Sequence, residues 1–239
     1  RLVHRQEFAD RAVRMADWEC RVQMPNGAVQ GGVIDQPPSP AIFNTGQVIF
    51  GWIRTFQETR KPGYLDCAIK AGQFLISQQD EDGAWRKSLS DFTMNSRMSS
   101  YTYNTRTAWA LMELALVTGS EEFKQAAIRN VEFALRKKHK NGWFRSNCLT
   151  QPVHPLTHTI AYCIRGIMEI GSILKNDEYL ACARKAADAV LVKRRPDGSL
   201  AGRFNERWEP TVSWRCLTGE AQMAGIWGRL YQIAGNHEY

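Results

Sequence analysis

At 239 residues, 44% hydrophobic and 23% charged, the chain has the composition of a globular protein with a substantial core, which excludes a disordered or fibrous segment. Its formal charge of +7 is spread over the chain, and no helix-turn-helix, zinc-finger or RNP-like signature accompanies it, so nucleic acid is not an expected partner. No run approaches the roughly 18 apolar residues that a membrane span needs.

In chain order, the first element is an amphipathic helix, Ala9 to Gln23, ending before Gly27. An apolar helix containing Val48–Ile53 follows, opened by Thr45, and a short link around Lys61 leads to a second amphipathic helix ending before Gly83. The same order recurs twice. Ala108–Val117 is apolar, Glu121–Lys140 carries an apolar stripe opposite a charged face, and Gly142 follows; Ile160–Leu174 is apolar, Asp177–Arg195 is striped, and Gly198 follows. A last apolar helix runs from Thr218 to Ala234, giving eight helices in all. Helices apolar all round must be buried, and striped ones belong outside. The basic clusters Arg136–Lys140 and Lys193–Arg195 fall at helix C-terminal ends, where cations complement the dipole.

A frame of about 56 residues underlies this order: Ala12–Gly27, Ala68–Gly83, Ala127–Gly142 and Ala183–Gly198 each place a helical Ala fifteen residues before a turn Gly. Repeats of helix pairs at this period form stacked or ring-closed hairpins. The fold expected is therefore all-α, an (α/α) toroid of helical hairpins with apolar helices at the hub and striped ones at the rim, and one domain over residues 1–239. Tyr239 falls where Tyr64, Phe123 and Tyr179 stand in the preceding repeats. Either the last helix packs on the first and closes a small ring, or this is an incomplete ring from a longer toroid, which the repeat count favours.

Phe74-Leu-Ile-Ser-Gln78 followed by Asp82-Gly83-Ala84-Trp85 resembles the QW motif of squalene and other triterpene cyclases, in which Gln side chains cap helix ends and stack on Trp to tie repeats together. Asn141-Gly-Trp-Phe144 and Pro196-Asp-Gly-Ser-Leu200 are degenerate versions, and the acidic DxDD initiator of that family is missing. The resemblance implies the fold and not terpene chemistry. Phe43–Trp52, Thr102–Leu111, Pro155–Gly171 and Cys216–Ala224 are similar to bacterial toroid proteins associated with polysaccharide biosynthesis, a group related in shape to six-hairpin glycosidases, uronate lyases and C5-epimerases. That resemblance implies a carbohydrate context.

The long links all open where the inner helices begin, so that face should hold any site. Thr45, Thr105, Thr157 and Thr218 read as N-caps, each worth about 1 kcal/mol. Gln47, Arg106, His158 and Glu220 then occupy first turns pointing into the cup, where exposed helix N-termini favour anions. Preceding loops add Tyr101, Tyr103, Asn104, His154, Trp208, Trp214 and Arg215. Aromatic rings beside Arg and His suit pyranose rings with acidic groups, through stacking and paired carboxylate contacts. In uronate lyases of similar shape, Asn, Arg or His neutralises the carboxylate while Tyr and His exchange protons at C5 and O4. By that resemblance Arg106 and Asn104 would hold the carboxylate, and His158 with Tyr103 or Tyr162 would move protons. Gln47, His154, Trp208, Trp214 and Arg215 would line the saccharide. Tyr103 and Tyr162 could equally pack between helices with satisfied hydroxyls.

A glycosidase would need two opposed carboxyl groups about 5 to 9.5 Å apart. Glu220 is the acid best placed for this, with Asp35 across the ring, and Asp91, Glu206 and Glu209 also on the face; Glu220 could instead complement its own helix dipole. No cofactor fingerprint occurs, and no cofactor is expected. Cys148, His154, His158 and Cys216 are zinc-ligand types, but their spacing straddles loop and helix, so no metal is expected either. The six cysteines show no CxxC, which fits a reducing, cytoplasmic setting. The function expected is action on, or binding of, an anionic polysaccharide, uronate lyase- or epimerase-like. The alternatives are a non-catalytic saccharide-binding scaffold, or a terpenoid or prenyl binder with a deep apolar cavity walled by Phe50, Trp52, Trp109 and Tyr162.

Overall fold

The computed structural model describes residues 5–32, 37–86 and 101–235; Asp35, Asp91 and Tyr239 lie outside them. Among the described residues the helices are α1 (Gln6–Val22), α2 (Ile42–Thr59), α3 (Pro62–Gln78), α4 (Thr105–Thr118), α5 (Glu121–Leu135), α6 (Thr157–Leu174), α7 (Asp177–Leu191) and α8 (Leu217–Ala234). A 3-10 turn, Thr102–Asn104, leads into α4, and two short strands, β1 (Gln30–Gly31) and β2 (Ser39–Pro40), pair antiparallel ahead of α2. None of these helices is long and apolar enough to cross a membrane.

The apolar helices form the hub, as their composition requires. Helix α2 packs on α4, α4 on α6 and α6 on α8, while α3, α5 and α7 each lie back on the inner helix before them. The result is an arc of an (α/α) toroid, with α1 and α8 at its two flanks. On α1, Phe8, Met15 and Trp18 are exposed, whereas the residues in register with Phe8 in later repeats, Tyr64, Phe123 and Tyr179, are buried. Those later residues rest partly on the inner helix of their own hairpin, as Tyr179 does on Gly171. Helix α1 has no such partner among the described residues.

Hairpin links are short because each inner helix ends in a left-handed residue: Arg60, Gly119 and Lys175 have φ of 60°, 72° and 53°. Their N–H groups bond back to the last turn of the helix, satisfying carbonyls that would otherwise be orphaned. The outer helices α5 and α7 are the capped ones, Ser120 Oγ accepting from Phe123 N and Asn176 Oδ1 from Tyr179 N. Both stop sooner than their sequence pattern suggests. Arg136 and Val192 are their C-caps, so the basic clusters lie at or beyond the helix ends, and neither last turn carries a cation.

After each outer helix the chain makes the same turn. Gly27, Gly83, Gly142 and Gly198 have φ of 89°, 89°, 85° and 82°, a region that L side chains resist. The preceding residue is Asn26, Asp82, Asn141 or Asp197, whose side-chain oxygen accepts the N–H two residues on. A Cβ on Gly27 would stand 2.3 Å from Lys70 O, one on Gly83 2.1 Å from Arg129 O and one on Gly142 3.1 Å from Ala186, so these three turns press against the next outer helix, whereas the space around Gly198 is open.

Glutamine ties reinforce that joint. Gln79 Nε2 donates to Gly83 O and across to Ala126 O at 2.9 Å, and Gln23 repeats the pattern with Gly27 O and Cys67 O. The tying residue is thus Gln79 and not Gln78, which is bonded to Ser77. Trp85 Nε1 donates instead to Leu75 O within its own repeat.

The threonines behave differently from N-caps. Thr45, Thr105 and Thr157 are all buried. Thr45 Oγ1 accepts from Val29 N and donates to Ala41 O. Thr105 Oγ1 donates to Cys163 O at 3.0 Å, and Thr157 Oγ1 to Ala201 O at 2.5 Å. The caps proper are Ala41, Asn104, Leu156 and Cys216, none with a side-chain cap bond. Thr105 and Thr157 fasten one repeat to the next, while Thr45 holds α2 to the segment ahead of it and Thr218 is exposed.

Candidate functional site

Glycines bring the N-terminal halves of the inner helices together. Gly46 faces Thr107, Gly166 faces the Thr105 backbone and Gly219 faces Thr157 and the His158 amide, all at distances that exclude a Cβ. Side chains from α2, α4, α6 and the α8 cap therefore meet in one continuous row. Arg106 Nε donates to Gln47 Oε1 at 2.6 Å. The Arg106 guanidinium carbon lies 5.1 Å from the Tyr162 ring, 5.6 Å from Trp109 and 5.8 Å from Phe50, within cation–π range. Tyr162 meets the His158 ring edge-on at 5.5 Å, and His158 Nδ1 is 3.5 Å from Cys216 Sγ. Phe43 touches both Tyr162 and Tyr103, and Tyr103 stacks on Tyr101.

The electrostatics of this row are unbalanced. Burial pushes the Arg106 pKa down, yet guanidinium stays charged in proteins, and no carboxylate lies within ion-pair reach of it among the described residues. Its neighbour Arg165 is compensated by Glu169, which also binds Arg229. Burial, and then the Arg203 charge, hold His158 below the ordinary imidazole range, so it is neutral near pH 7. Burial raises Tyr103 well above the usual phenol range. Among the described residues no hydrogen bond to protein is made by the hydroxyls of Tyr103 and Tyr162. Asn104 is 3% exposed and its Oδ1 is unpaired, an orphaned acceptor that a hydroxyl or a water would satisfy.

Other candidates stand apart from the row. Both oxygens of Glu220 are taken, by Arg215 Nε and Nη2 at 2.9 and 2.7 Å and by Leu200 N, and the Arg215 guanidinium holds its carboxyl below the usual range. This pair is a strut between α8 and its preceding loop, and the structure does not bring Glu220 and Arg215, expected as an acid and a ligand contact, into the row. Trp208 is 5% exposed, packs on Trp143 and Phe204, and donates to Asn141 O. It anchors the α7–α8 loop and offers no ring face to the cup. Trp214 is exposed, lying flat on Gly202 with Arg203 beneath. His154 is half-buried, and its carbonyl accepts from Arg203 Nη1 at 2.6 Å.

Phe43 and Arg203 were not anticipated. Phe43 stands just before Asn44-Thr45, as Tyr103 stands just before Asn104-Thr105, so the alignment that found the threonines carried the signal. Arg203 reaches Cys148 Sγ at 3.9 Å. Burial alone would raise that thiol, but backbone donors from Gln151, Leu156 and Thr150 outweigh it and bring Cys148 below the usual range. Among the described residues no group of three or more His, Cys, Asp or Glu is arranged to hold a metal ion. Trp52, expected to wall an apolar cavity, is fully buried core and donates to Ala16 O. A groove between α1 and the end of α2, lined by Phe8, Val13, Arg54 and Glu58, lies at the opposite end of α2 from Gln47.

Solved structures share this architecture. An inactive variant of the α-1,6-mannanase GH76A of Salegentibacter sp. HEL1_6, in complex with α-1,6-mannotriose, superposes with a TM-score of 0.74 at 12% identity over 95% of this chain and 65% of that one. The cellobiose 2-epimerase of Spirochaeta thermophila DSM 6192 gives 0.77 at 13% identity over 97% and 65%. A variant of UGL with the saccharide dGlcA-Glc-Rha-Glc gives 0.71 at 14% identity over 93% and 61%. The chain thus spans less than two thirds of the length of each, and these likenesses are of fold. No curated protein sequence matches it. The family description that matches, over residues 4–169, is the squalene-hopene cyclase C-terminal domain. Because that match runs from α1 into α6 and takes in three of the four Gly-centred turns and both glutamine ties, the chain belongs to the squalene-hopene cyclase C-terminal domain family.

Proposed function

We propose that the row from Gln47 to Cys216 is the floor of a saccharide site that takes a sugar bearing an anionic group, and that the chemistry is proton transfer at a uronate, lyase- or C5-epimerase-like. The observation that carries this reading is Arg106, a half-buried guanidinium walled by three aromatic rings, oriented by Gln47 and without a carboxylate partner among the described residues. A uronate carboxylate would supply the missing charge through the remaining guanidinium N–H groups, while Tyr162 and Phe43 give apolar faces for the ring. Asn104 would accept a sugar hydroxyl. His158 and the Tyr162 or Tyr103 hydroxyl would exchange protons on either side of the reacting carbon. Trp214 on its Gly202 seat would cover an outer sugar unit. The mannotriose of the mannanase structure supports a saccharide at this fold, and the dGlcA-bearing saccharide of the UGL structure supports an anionic one.

Family membership favours a second reading, an isoprenoid in the same aromatic cup. Against a cyclase-type carbocation stands the fixed positive charge of Arg106 among the rings that would have to stabilise it. Calorimetry of the 239-residue chain with a glucuronate oligosaccharide, neutral mannotriose and an isoprenoid diphosphate separates the readings. The expected result is preference for the uronate, lost by about tenfold or more in Arg106→Gln, with either deuterium entering C5 of the uronate in D2O, as epimerisation requires, or a 4,5-unsaturated uronate appearing by ultraviolet absorbance, as elimination of the C4 oxygen requires. Equal binding of the neutral sugar, preference for the diphosphate, or no binding at all overturns it; binding with neither exchange nor elimination leaves a saccharide-binding scaffold in place of an enzyme.

A further inference from the structure

His158 and Cys216 are 58 positions apart in the chain, and only the α6–α8 crossing brings them together. The imidazole is held on two sides. Its ring makes a T-shaped contact with the ring of Tyr162, and its Nδ1 lies 3.5 Å from Cys216 Sγ. The thiol is fixed in its turn: Cys216 is the N-cap of α8, and two residues into that helix Gly219 presses on the His158 amide so closely that a Cβ would stand 2.8 Å away. The charged and titratable neighbours that contact or act on His158 are Arg203 from the α7–α8 loop, Tyr162 from its own helix and Cys216. None of them is a carboxylate, so among the described residues no acid stands against the ring to stabilise an imidazolium.

A neutral imidazole carries its single proton on one nitrogen, and the partner of the other nitrogen decides which. A thiol is a donor with a proton to give and only a weak acceptor. We propose that Cys216 is a positioning residue whose S–H donates to His158 Nδ1, fixing the tautomer that carries its proton on Nε2. His158 then presents Nε2–H as a hydrogen-bond donor to negative charge developing on the substrate, its Nδ1 being occupied by the thiol, and the base that takes the proton has to be another group of the row. That assignment of donor and acceptor rests on the proton-transfer reading above. The tautomer itself does not.

The test is nitrogen-15 NMR of the histidine side chains in the intact chain, with His158 identified by His158→Gln. The expected spectrum has Nε2 protonated and Nδ1 bare in the wild type, a mixture of tautomers in Cys216→Ala, and the wild-type pattern restored in Cys216→Ser, whose hydroxyl also donates. A proton on Nδ1 in the wild type, or a spectrum unmoved by Cys216→Ala with the fold intact by circular dichroism, overturns the proposal. C5 exchange and 4,5-unsaturated product are measured in parallel. A loss of about tenfold or more in kcat at unchanged KM in Cys216→Ala, rescued by serine, is the expected result. If the wild type shows neither, the proton-transfer reading fails while the tautomer result stands by itself.

Discussion

Arg106 is bonded through Nε to Gln47 Oε1 at 2.6 Å across the α2–α4 crossing, and among the described residues that amide is the acceptor the structure gives its guanidinium. A half-buried cation so poorly compensated costs stability, because desolvation is not repaid by a counter-charge. Arg106→Met, similar in length and able to fill the same aromatic box, is therefore expected to raise stability by about 1 kcal/mol while removing binding of anionic saccharide. Urea denaturation and calorimetry on the same variant check both halves; a destabilised variant would mean that the charge already has an unrecognised partner.

Two glycine-to-alanine changes should have opposite signs. At Gly166 a Cβ would stand 2.3 Å from the Thr105 carbonyl carbon and oxygen, so Gly166→Ala must push α4 from α6 and strain the Thr105–Cys163 bond, at a cost of about 2 kcal/mol or more. Gly51, in the middle of α2, has nothing within 4 Å of its Cβ position, and Gly51→Ala should gain about 0.5–1 kcal/mol from the smaller entropy loss on folding. Denaturant midpoints at constant slope measure both.

The second Gly-centred turn should carry a small acid sensitivity. Arg86 donates to both oxygens of Asp82 and also to Asp80, and holds the Asp82 carboxyl at about 2 against an ordinary 3.8. The folded-state pKa is lowered, so this contribution is complete above pH 3.8 and disappears as pH falls toward 2. With Asp82 43% exposed, solvent screening limits it to under about 1 kcal/mol. Asp82→Asn keeps the turn, since Asn26 and Asn141 already make the same bond in other repeats, but should flatten that part of the stability profile. Stability curves of the two proteins that stay parallel from pH 5 to pH 2 would contradict the assignment.

Much of the scaffold was legible because its key positions admit few residues. Only glycine is comfortable at the φ values of Gly27, Gly83, Gly142 and Gly198, so spacing alone found the turns. The threonines were found for the right reason and explained by the wrong one. A hydroxyl that caps its own helix and one that reaches a carbonyl 58 residues away, as Thr105 does to Cys163, prefer the same residue type and differ only in tertiary context. The loop residues divided along the same line. Trp208 and Trp214 look alike in sequence, but the path of the α7–α8 loop buries one on Asn141 and leaves the other on the surface of Gly202. Glu220 and Arg215 are five positions apart and found each other, whereas Arg106 meets no acid among the described residues, and neither outcome is written in local pattern.

Among the described residues, the Thr105 tie and the close approaches of Gly27 and Gly83 set the spacing between repeats through helix residues rather than through the tips of the long connectors. Insertions or exchanges in those connectors would leave the frame intact and alter only what overhangs the cup. Selection is thus given a surface to rewrite cheaply: a lineage could change which molecule it grips by editing the connectors while inheriting the same chassis unaltered.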